Sequence, residues 1–452
     1  MRNRWLIFRS LSFLAILLAG LQSALAAGTN SSCPGDNGGI FVPRGFCAHV
    51  FAKAVGPLRH ITVAADGTVY AALSSQRHGG GIAILRDTNG DGKADSIQYF
   101  GDVSGTGIAI HQGYLYFGEN DRIVRFPLPT TGDVPVAKPQ VVVSGFPEQH
   151  QHASKSLAFG ADGWLYVGIG APSNACQKHD RVEHSPGMDP CPLLAKHGGI
   201  WRFKADTPGQ IAAQGQRYAT GLRNMVAIAW NAQSKALYGV MMGRDQLHGN
   251  WPGRYTVKQS ADLPAEEFLS IDQGANYGWP YCYYDGIQKK LVLAPEYGGD
   301  GSKVGRCSQY TPPLQAFPAH WAPEAMAFYT GKAFPAAYSG GAFIAFHGSW
   351  NRAPLPQKGF VVAFVPFKDG KPSGHWRVFA TGFSGGGVIH SPANARFRPV
   401  GIAVGPDGAL YIADSQSGWI WRVTYGKAQA PAKATAAATV AATRDEGSGL
   451  NW

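Results

Sequence analysis

SLAFGADGWLYVGIG, residues 156–170, reads as one β-hairpin. An apolar run (Ser156 to Phe159) meets Asp162-Gly163, and a second alternating run carries Trp164 and Tyr166. Asp-Gly between two alternating apolar runs is the strongest short-range hairpin signal. The same unit recurs along the chain. It reads HITVAADGTVYAAL from His60, GIAIHQGYLYFGE from Gly107 and AIAWNAQSKALYGVM from Ala227. A looser copy, AMAFYTGKAFPAAYSGGAFIAF, starts at Ala325, and GIAVGPDGALYIAD starts at Gly401.

Six such hairpins separated by further short β-like runs point to radial repetition. The fold class expected is all-β, a six-bladed β-propeller with long inter-strand insertions. Radial closure leaves only short, protected sheet edges, and long helical periodicity is absent. A β-sandwich or two smaller β domains is the alternative. The long insertions follow the third, fourth and fifth units, where function usually lies.

Outside the repeats, composition divides the chain. Arg2, Arg4 and Arg9 precede an apolar run from Leu11 to Leu21, and small residues follow at Ala24 and Ala26. That pattern reads as a signal peptide over 1–26, cut near Ala26 or Ala27; an uncleaved anchor is the alternative. The run is shorter than the roughly 20 residues a span requires, so no stable membrane insertion is expected. Residues 27–42 read as an N-terminal extension, 43–425 as the propeller and 426–452 as a disordered tail rich in Ala, Thr and Pro. With such a leader a periplasmic or secreted location is expected.

The six cysteines suit that compartment. They fall as neighbours, Cys33 with Cys47, Cys176 with Cys191 and Cys282 with Cys307, and proximity suggests local pairing. None forms CxxC or CxxCH, so neither a zinc knuckle nor a covalent haem is expected. The formal charge is +11, of which Arg2, Arg4 and Arg9 would leave with the signal peptide. No dense Lys/Arg run accompanies it, which argues against nucleic acid.

The repeats also order the polar residues. With the units aligned on Ile61, Ile108, Leu157, Ile228, Met326 and Ile402, His152 and Arg223 each lie five residues before their anchors. Arg396 and Arg398 lie six and four before theirs. The second strand of each hairpin returns antiparallel to the same rim. There it delivers Glu119, Gly243-Arg244-Asp245, His347 and Asp414. If the ring closes, these groups converge on one channel mouth.

In order along the chain stand HASKSLAFGADGWLY from His152, GLRN from Gly221, GRDQL from Gly243 and LPAEEF from Leu263. NYGWPYC follows from Asn276, FHGSWNR from Phe346 and RFRPVGIA from Arg396. With these motifs the chain resembles the soluble quinoprotein sugar dehydrogenases, and within them the sorbosone dehydrogenase branch. The resemblance runs from about Pro43 to Tyr425 and implies pyrroloquinoline quinone (PQQ) and calcium as cofactors. It implies His152 as the base for the substrate hydroxyl, a role suited to imidazole; His150 is out of phase with the repeat. It implies Arg223 and Asn224 at the quinone, and Arg396 and Arg398 on the cofactor carboxylates, which suit Arg forks. The family's lysine has no clear match, leaving His347, Trp350 or Arg352 of FHGSWNR to serve.

By the same resemblance the bridging calcium sits among the carbonyls of Gly243 and Arg244 and the carboxylates of Glu266 and Glu267. A second, structural calcium is conceivable in DTNGDGKAD, where Asp87, Asn89, Asp91 and Asp95 follow calcium-loop spacing. Gln98 stands where the closing Glu would be, and a polar hairpin turn is the plainer alternative. Two departures bear on substrate. Gln151 stands where glucose-oxidising relatives carry Asp, and the stretch around Thr106 replaces a glutamine. The expected substrate is therefore an aldose or sugar-derived aldehyde in a pocket unlike that of the glucose-oxidising relatives, with an external electron acceptor such as a cytochrome or quinone. A calcium-dependent lactonase-like hydrolase and a non-catalytic propeller that binds glycan or protein are the alternatives.

Overall fold

A computed structural model describes residue 33 and residues 35–129, 134–135 and 138–426. The signal peptide, most of the N-terminal extension and nearly all of the tail lie outside the described residues.

Asp-Gly acts as the sequence suggests in the three repeated hairpins that carry it. The carboxylates of Asp66, Asp162 and Asp407 accept the backbone N–H two residues on, at Thr68, Trp164 and Ala409. The glycines between, Gly67, Gly163 and Gly408, take φ of 89°, 79° and 78°, a region closed to most side chains. One such turn launches a second strand buried on both faces, Leu410–Asp414, every residue of which is buried. Such strands need cover on two sides, which stacked blades provide.

Six sheets of four strands, one extended by a fifth, form the blades. Their inner strands are Leu58–Val63, Gly105–His111, Leu157–Phe159, Ala227–Asn231, Pro323–Phe328 and Pro399–Val404. Each inner strand packs on the next, and the last packs on the first, so the ring closes. Closure is completed by Phe46–Ala52, which pairs antiparallel with Ile420–Tyr425 as the outer strand of the last blade. The apolar core is correspondingly divided into one cluster between each pair of neighbouring blades. Ahead of the closing strand, Ile40 is fully buried and Phe41 bridges Thr381, so part of the stretch read as an extension packs on the propeller.

The cysteines pair as their proximity suggests: Cys33–Cys47, Cys176–Cys191 and Cys282–Cys307. Among the described residues no helix is long and apolar enough to cross a membrane.

Candidate active site

The lead-in to each inner strand opens on one rim, and the third and fourth blades place His152 and Arg223 side by side there. Ala171 joins them. Its carbonyl lies 2.6 Å from His152 Nδ1, and its N–H donates to the Arg223 carbonyl at 2.9 Å. A carbonyl only accepts, so the imidazole carries its proton on Nδ1 and leaves Nε2 with the lone pair. No hydrogen bond engages Nε2 among the described residues. Burial and then the Arg223 charge lower the His152 pKa to about 4, against the pull of the Ala171 carbonyl. The imidazole is therefore neutral at ordinary pH.

Arg223 is a fixed cation, 2% exposed. Nε donates to the Asn174 carbonyl at 3.1 Å and Nη1 to the Gly243 carbonyl at 2.9 Å. Nη2 reaches Asn174 Oδ1 at 3.1 Å and Asp245 Oδ2 at 2.7 Å. Asp245 also takes Arg181 Nη2 at 2.8 Å and Asn351 Nδ2 at 2.6 Å. Burial alone would raise its pKa, but Arg223 and Arg181 hold the carboxyl well below the usual range. Asn224 lies beside His152: a Cβ on Gly170 would stand 2.5 Å from His152 Cβ and 3.1 Å from Asn224 Oδ1.

Across the mouth, the fifth, sixth and first blades supply a second group. Arg398 Nε and Nη2 donate to the carbonyls of His347 and Gly348 at 3.1 and 2.6 Å, leaving Nη1 unengaged. His347 Nε2 lies 2.7 Å from Ser415 Oγ, and burial, then Arg398 and Arg59, hold its pKa far down. Arg59 pairs with Glu324 at 2.7 Å.

Several residues singled out from the sequence lie elsewhere. Arg396 is exposed and stacks over Phe397 and Trp419, at 4.9 and 5.9 Å. Arg352 is 5% exposed and clamps a loop, donating to the carbonyls of Ala261 and Pro356 and to Asp262. Trp350 is 51% exposed on the rim loop; Asn351 between them is the residue that reaches the site.

The structure brings part of the implied calcium set together: Gly243, Arg244 and Glu267 line one small cavity, and Glu266 does not. The Gly243 carbonyl is taken by Arg223, and the Arg244 guanidinium is buried against Glu296. Glu266 accepts two backbone N–H groups, from Gly243 at 2.8 Å and Ala322 at 3.0 Å. Glu267, its strand neighbour, is 1% exposed with Oε2 unpartnered. Successive strand side chains face opposite ways, so the two carboxylates cannot close on one ion. Burial raises the pKa of Glu266 to about 7 and, with Glu266 beside it, that of Glu267 to about 8. In the other loop, Asp87 accepts from the N–H groups of Gly90, Asp91 and Gly92. Asn89 and Asp91 accept from Asp91 and Lys93, and Asp95 from Thr88 and Asn89. The loop closes on its own amides, as a polar turn does. Among the described residues no cluster of three or more His, Cys, Asp or Glu side chains could hold a metal.

Lys155 and Arg181 escaped the sequence reading of the site, and Gln151 and Thr106 sit beside it. Lys155 is fully buried without a carboxylate partner, and burial lowers its pKa to about 8. Arg181 bridges Asp245 to Gln151 Oε1, at 3.2 Å from its Nη2. Gln151 in turn donates to Asp180 at 2.9 Å. Thr106 Oγ1 donates to Ser154 Oγ at 3.1 Å, two residues from His152.

Comparison with known proteins bears on the whole propeller. The model of the TrAA12-like family matches residues 40–426. A PQQ-dependent pyranose dehydrogenase of Coprinopsis cinerea is 30% identical over 243 residues, 47% of this chain and 31% of that protein. The chain thus spans under half the length of the curated relatives it matches, the larger share being 48%. The holo PQQ domain of the Coprinopsis cinerea pyranose dehydrogenase superposes with a TM-score of 0.68 at 19% identity, covering 87% of this chain and 99% of that one. The calcium structure of the Trichoderma reesei AA12 enzyme gives 0.70 at 19% identity, covering 86% and 97%. At those identities the likeness is one of fold.

Proposed function

The chain belongs to the TrAA12-like family, and from that premise we propose that it oxidises an aldose, or a related sugar aldehyde, by hydride transfer to PQQ. The observation that carries the reading is the state of His152: Nδ1–H committed to Ala171, Nε2 unengaged, and the Arg223 cation beside it.

Oxidation of a carbinol or hydrated aldehyde needs a base for the O–H proton and an acceptor for the hydride. His152 Nε2 takes the proton. Burial and Arg223 keep the imidazole neutral, so the lone pair is available over the working pH range. Arg223 is held by Asn174, Gly243 and Asp245, so its charge is set in place before substrate arrives.

The residues present fit a planar tricarboxylate. Arg398 Nη1, a cationic donor unengaged at the mouth, suits one of its carboxylates. PQQ, when bound, supplies the two-electron acceptor, with Arg223, Asn224 and Arg398 to hold it. Gly243, Arg244 and Glu267, which line one small cavity, would hold calcium, and no step here runs through that ion. Calcium belongs to the proposal as an addition to test, since a similar fold was solved in a calcium form. A cytochrome or quinone outside the chain collects the electrons. The export-like leader and the disulfides support a periplasmic or secreted location.

The test is a PQQ titration of the apo protein with and without calcium, followed by dye reduction with a panel of aldoses. A spectral change on loading, and turnover lost in His152→Gln, is the expected result. No spectral change with PQQ in either condition excludes the reading.

A further inference from the structure

Gln149 has no part in the chemistry above, yet both ends of its side chain are bonded to the surroundings of His152. Its Nε2 lies 2.8 Å from the Gln151 carbonyl, 2.9 Å from the His152 carbonyl and 3.1 Å from the Gly170 carbonyl. Carbonyls only accept, so the amide nitrogen must face all three and share its two N–H bonds among them. Oε1 is thereby turned the other way, where His197 Nδ1 lies 3.0 Å from it and donates. One carboxamide ties the lead-in loop of the third blade to the segment after Trp164–Ile169 and to the start of Gly199–Lys204.

The backbone it grips is strained. His152 has φ of 54°, a left-handed conformation that crowds any Cβ. Such a conformation persists only where its surroundings over-determine it. Here the surroundings are two. Gly170 backs the residue so closely that a Cβ would stand 2.5 Å from His152 Cβ and 2.6 Å from its carbonyl oxygen. Gln149 holds the carbonyl from the other side. In an ordinary right-handed or extended conformation the imidazole would leave the Ala171 carbonyl, and nothing else fixes its proton on Nδ1.

We infer that Gln149 is a positioning residue: its carboxamide locks the left-handed His152 backbone so that Nδ1–H meets Ala171 and Nε2 faces the substrate. The inference rests on the reading of His152 as the base. His197 is the third member, orienting the amide of Gln149 as the Ala171 carbonyl orients the imidazole. A glutamine that merely stitches the loop would affect stability without touching the imidazole.

Two arms test it. The first needs no turnover: histidine-selective ¹⁵N NMR on the apo protein, with the His152 signals identified by their loss in His152→Gln. Wild type should show a fixed Nδ1–H tautomer. Gln149→Met, which keeps length and stem but removes both polar ends, should give signals averaged between tautomers. Gly170→Ala, which crowds His152 from the opposite side, should do the same even if Gln149→Met folds poorly.

The second arm is dye-coupled oxidation of D-glucose, D-galactose and D-xylose by protein loaded with PQQ and calcium. Gln149→Met should lower kcat about 10- to 100-fold, as expected when a reacting group is misplaced by an ångström or so. KM and the PQQ titration should change less than about threefold, since neither contact involves Gln149. Added to His152→Gln, the Gln149 substitution should cost nothing further, because the group it positions is already gone. A Gln149→Met protein with a fixed Nδ1–H tautomer and unchanged kcat, while His152→Gln is dead, overturns the positioning role and leaves the base intact. Full activity in His152→Gln overturns the base instead.

Discussion

Asp245 Oδ2 stands 2.7 Å from Arg223 Nη2, and the two side chains are 13% and 3% exposed. The pair joins the end of Ala236–Met241 to the lead-in of Ala227–Asn231, the two ends of one hairpin at one rim. A buried guanidinium without its counter-charge is expensive, and breaking such a pair from one side costs about 3–5 kcal/mol. Asp245→Asn keeps the shape and removes the charge. It should lower the unfolding free energy by that order in denaturant titrations and weaken PQQ binding. An Asp245→Asn protein as stable as wild type would mean that Asn174 and Gly243 alone satisfy Arg223.

The pH dependence of turnover follows from His152. Its folded pKa is about 4, lowered first by burial and then by Arg223. As a base it works while unprotonated, so kcat/KM should hold level from neutral pH down to about 5 and fall as pH passes 4. An acidic limb centred near 6.5, where a free histidine titrates, would mean that Arg223 and burial do not act on the imidazole. The measurement is a pH profile of dye reduction under subsaturating sugar.

How far these features were legible in the sequence depends on distance along the chain. Ala-Asp-Gly and Pro-Asp-Gly announced their hairpins because turn chemistry is local. The matched offsets of His152 and Arg223 announced the rim because a repeat carries its own ruler. Arg396 shows where that ruler ends. A period of 2 applies within a strand, but the strand begins at Pro399, after the turn Pro392–Asn394. Arg396 and Arg398 therefore part company, one to the surface and one to the mouth. Asn351 was passed over for its neighbours Trp350 and Arg352, since a loop has no periodicity to say which side chain points inward. Asp245 stood on the rim in the sequence reading. Its bonds to Arg181, Arg223 and Asn351 span 22 to 106 residues, which no local pattern encodes.

The buried pair Glu266 and Glu267 makes stability depend on pH in a stated direction. Their folded pKa values, about 7 and about 8, lie above the ordinary carboxyl range because of burial. Their contribution is present below the unfolded pKa and is lost as pH rises through the folded values. His152 and His60, both lowered to about 4 with burial the first cause, act oppositely, losing their contribution as pH falls through 4. Between about 4.5 and 6.5 the two trends offset, and from there to pH 8, where Lys155 starts to give up its proton, the carboxyl groups dominate. The melting temperature should therefore fall from pH 6.5 to pH 8. Glu267→Gln should flatten that fall, because its amide cannot ionise. A melting temperature that rises over this range with added calcium, and only in the protein with Glu267 intact, would show calcium held at that carboxylate.

The last expectation concerns the insertion after the third hairpin. Cys176 and Cys191 are bonded across 15 residues and bracket Asp180 and Arg181. Both hold the rim, Asp180 through Gln151 and Arg181 through Asp245. In the chain-entropy account, closing a loop of that length stabilises by about 3 kcal/mol. Replacing both cysteines with alanine should lower unfolding stability by that order. It should also free the segment to open locally, since Arg181 and Asp180 then hold it by polar contacts at a half-exposed surface. Hydrogen exchange over residues 177–190 should speed up, while exchange in the strand Trp164–Ile169 just before it should not. If the double variant is destabilised but exchange over 177–190 is unchanged, the hydrogen bonds of the segment, Arg181 to Asp245 and the N–H groups of His184 and Gly187 to the carbonyls of Asn250 and Glu296 among them, hold it without the crosslink, and the disulfide serves only the unfolded chain.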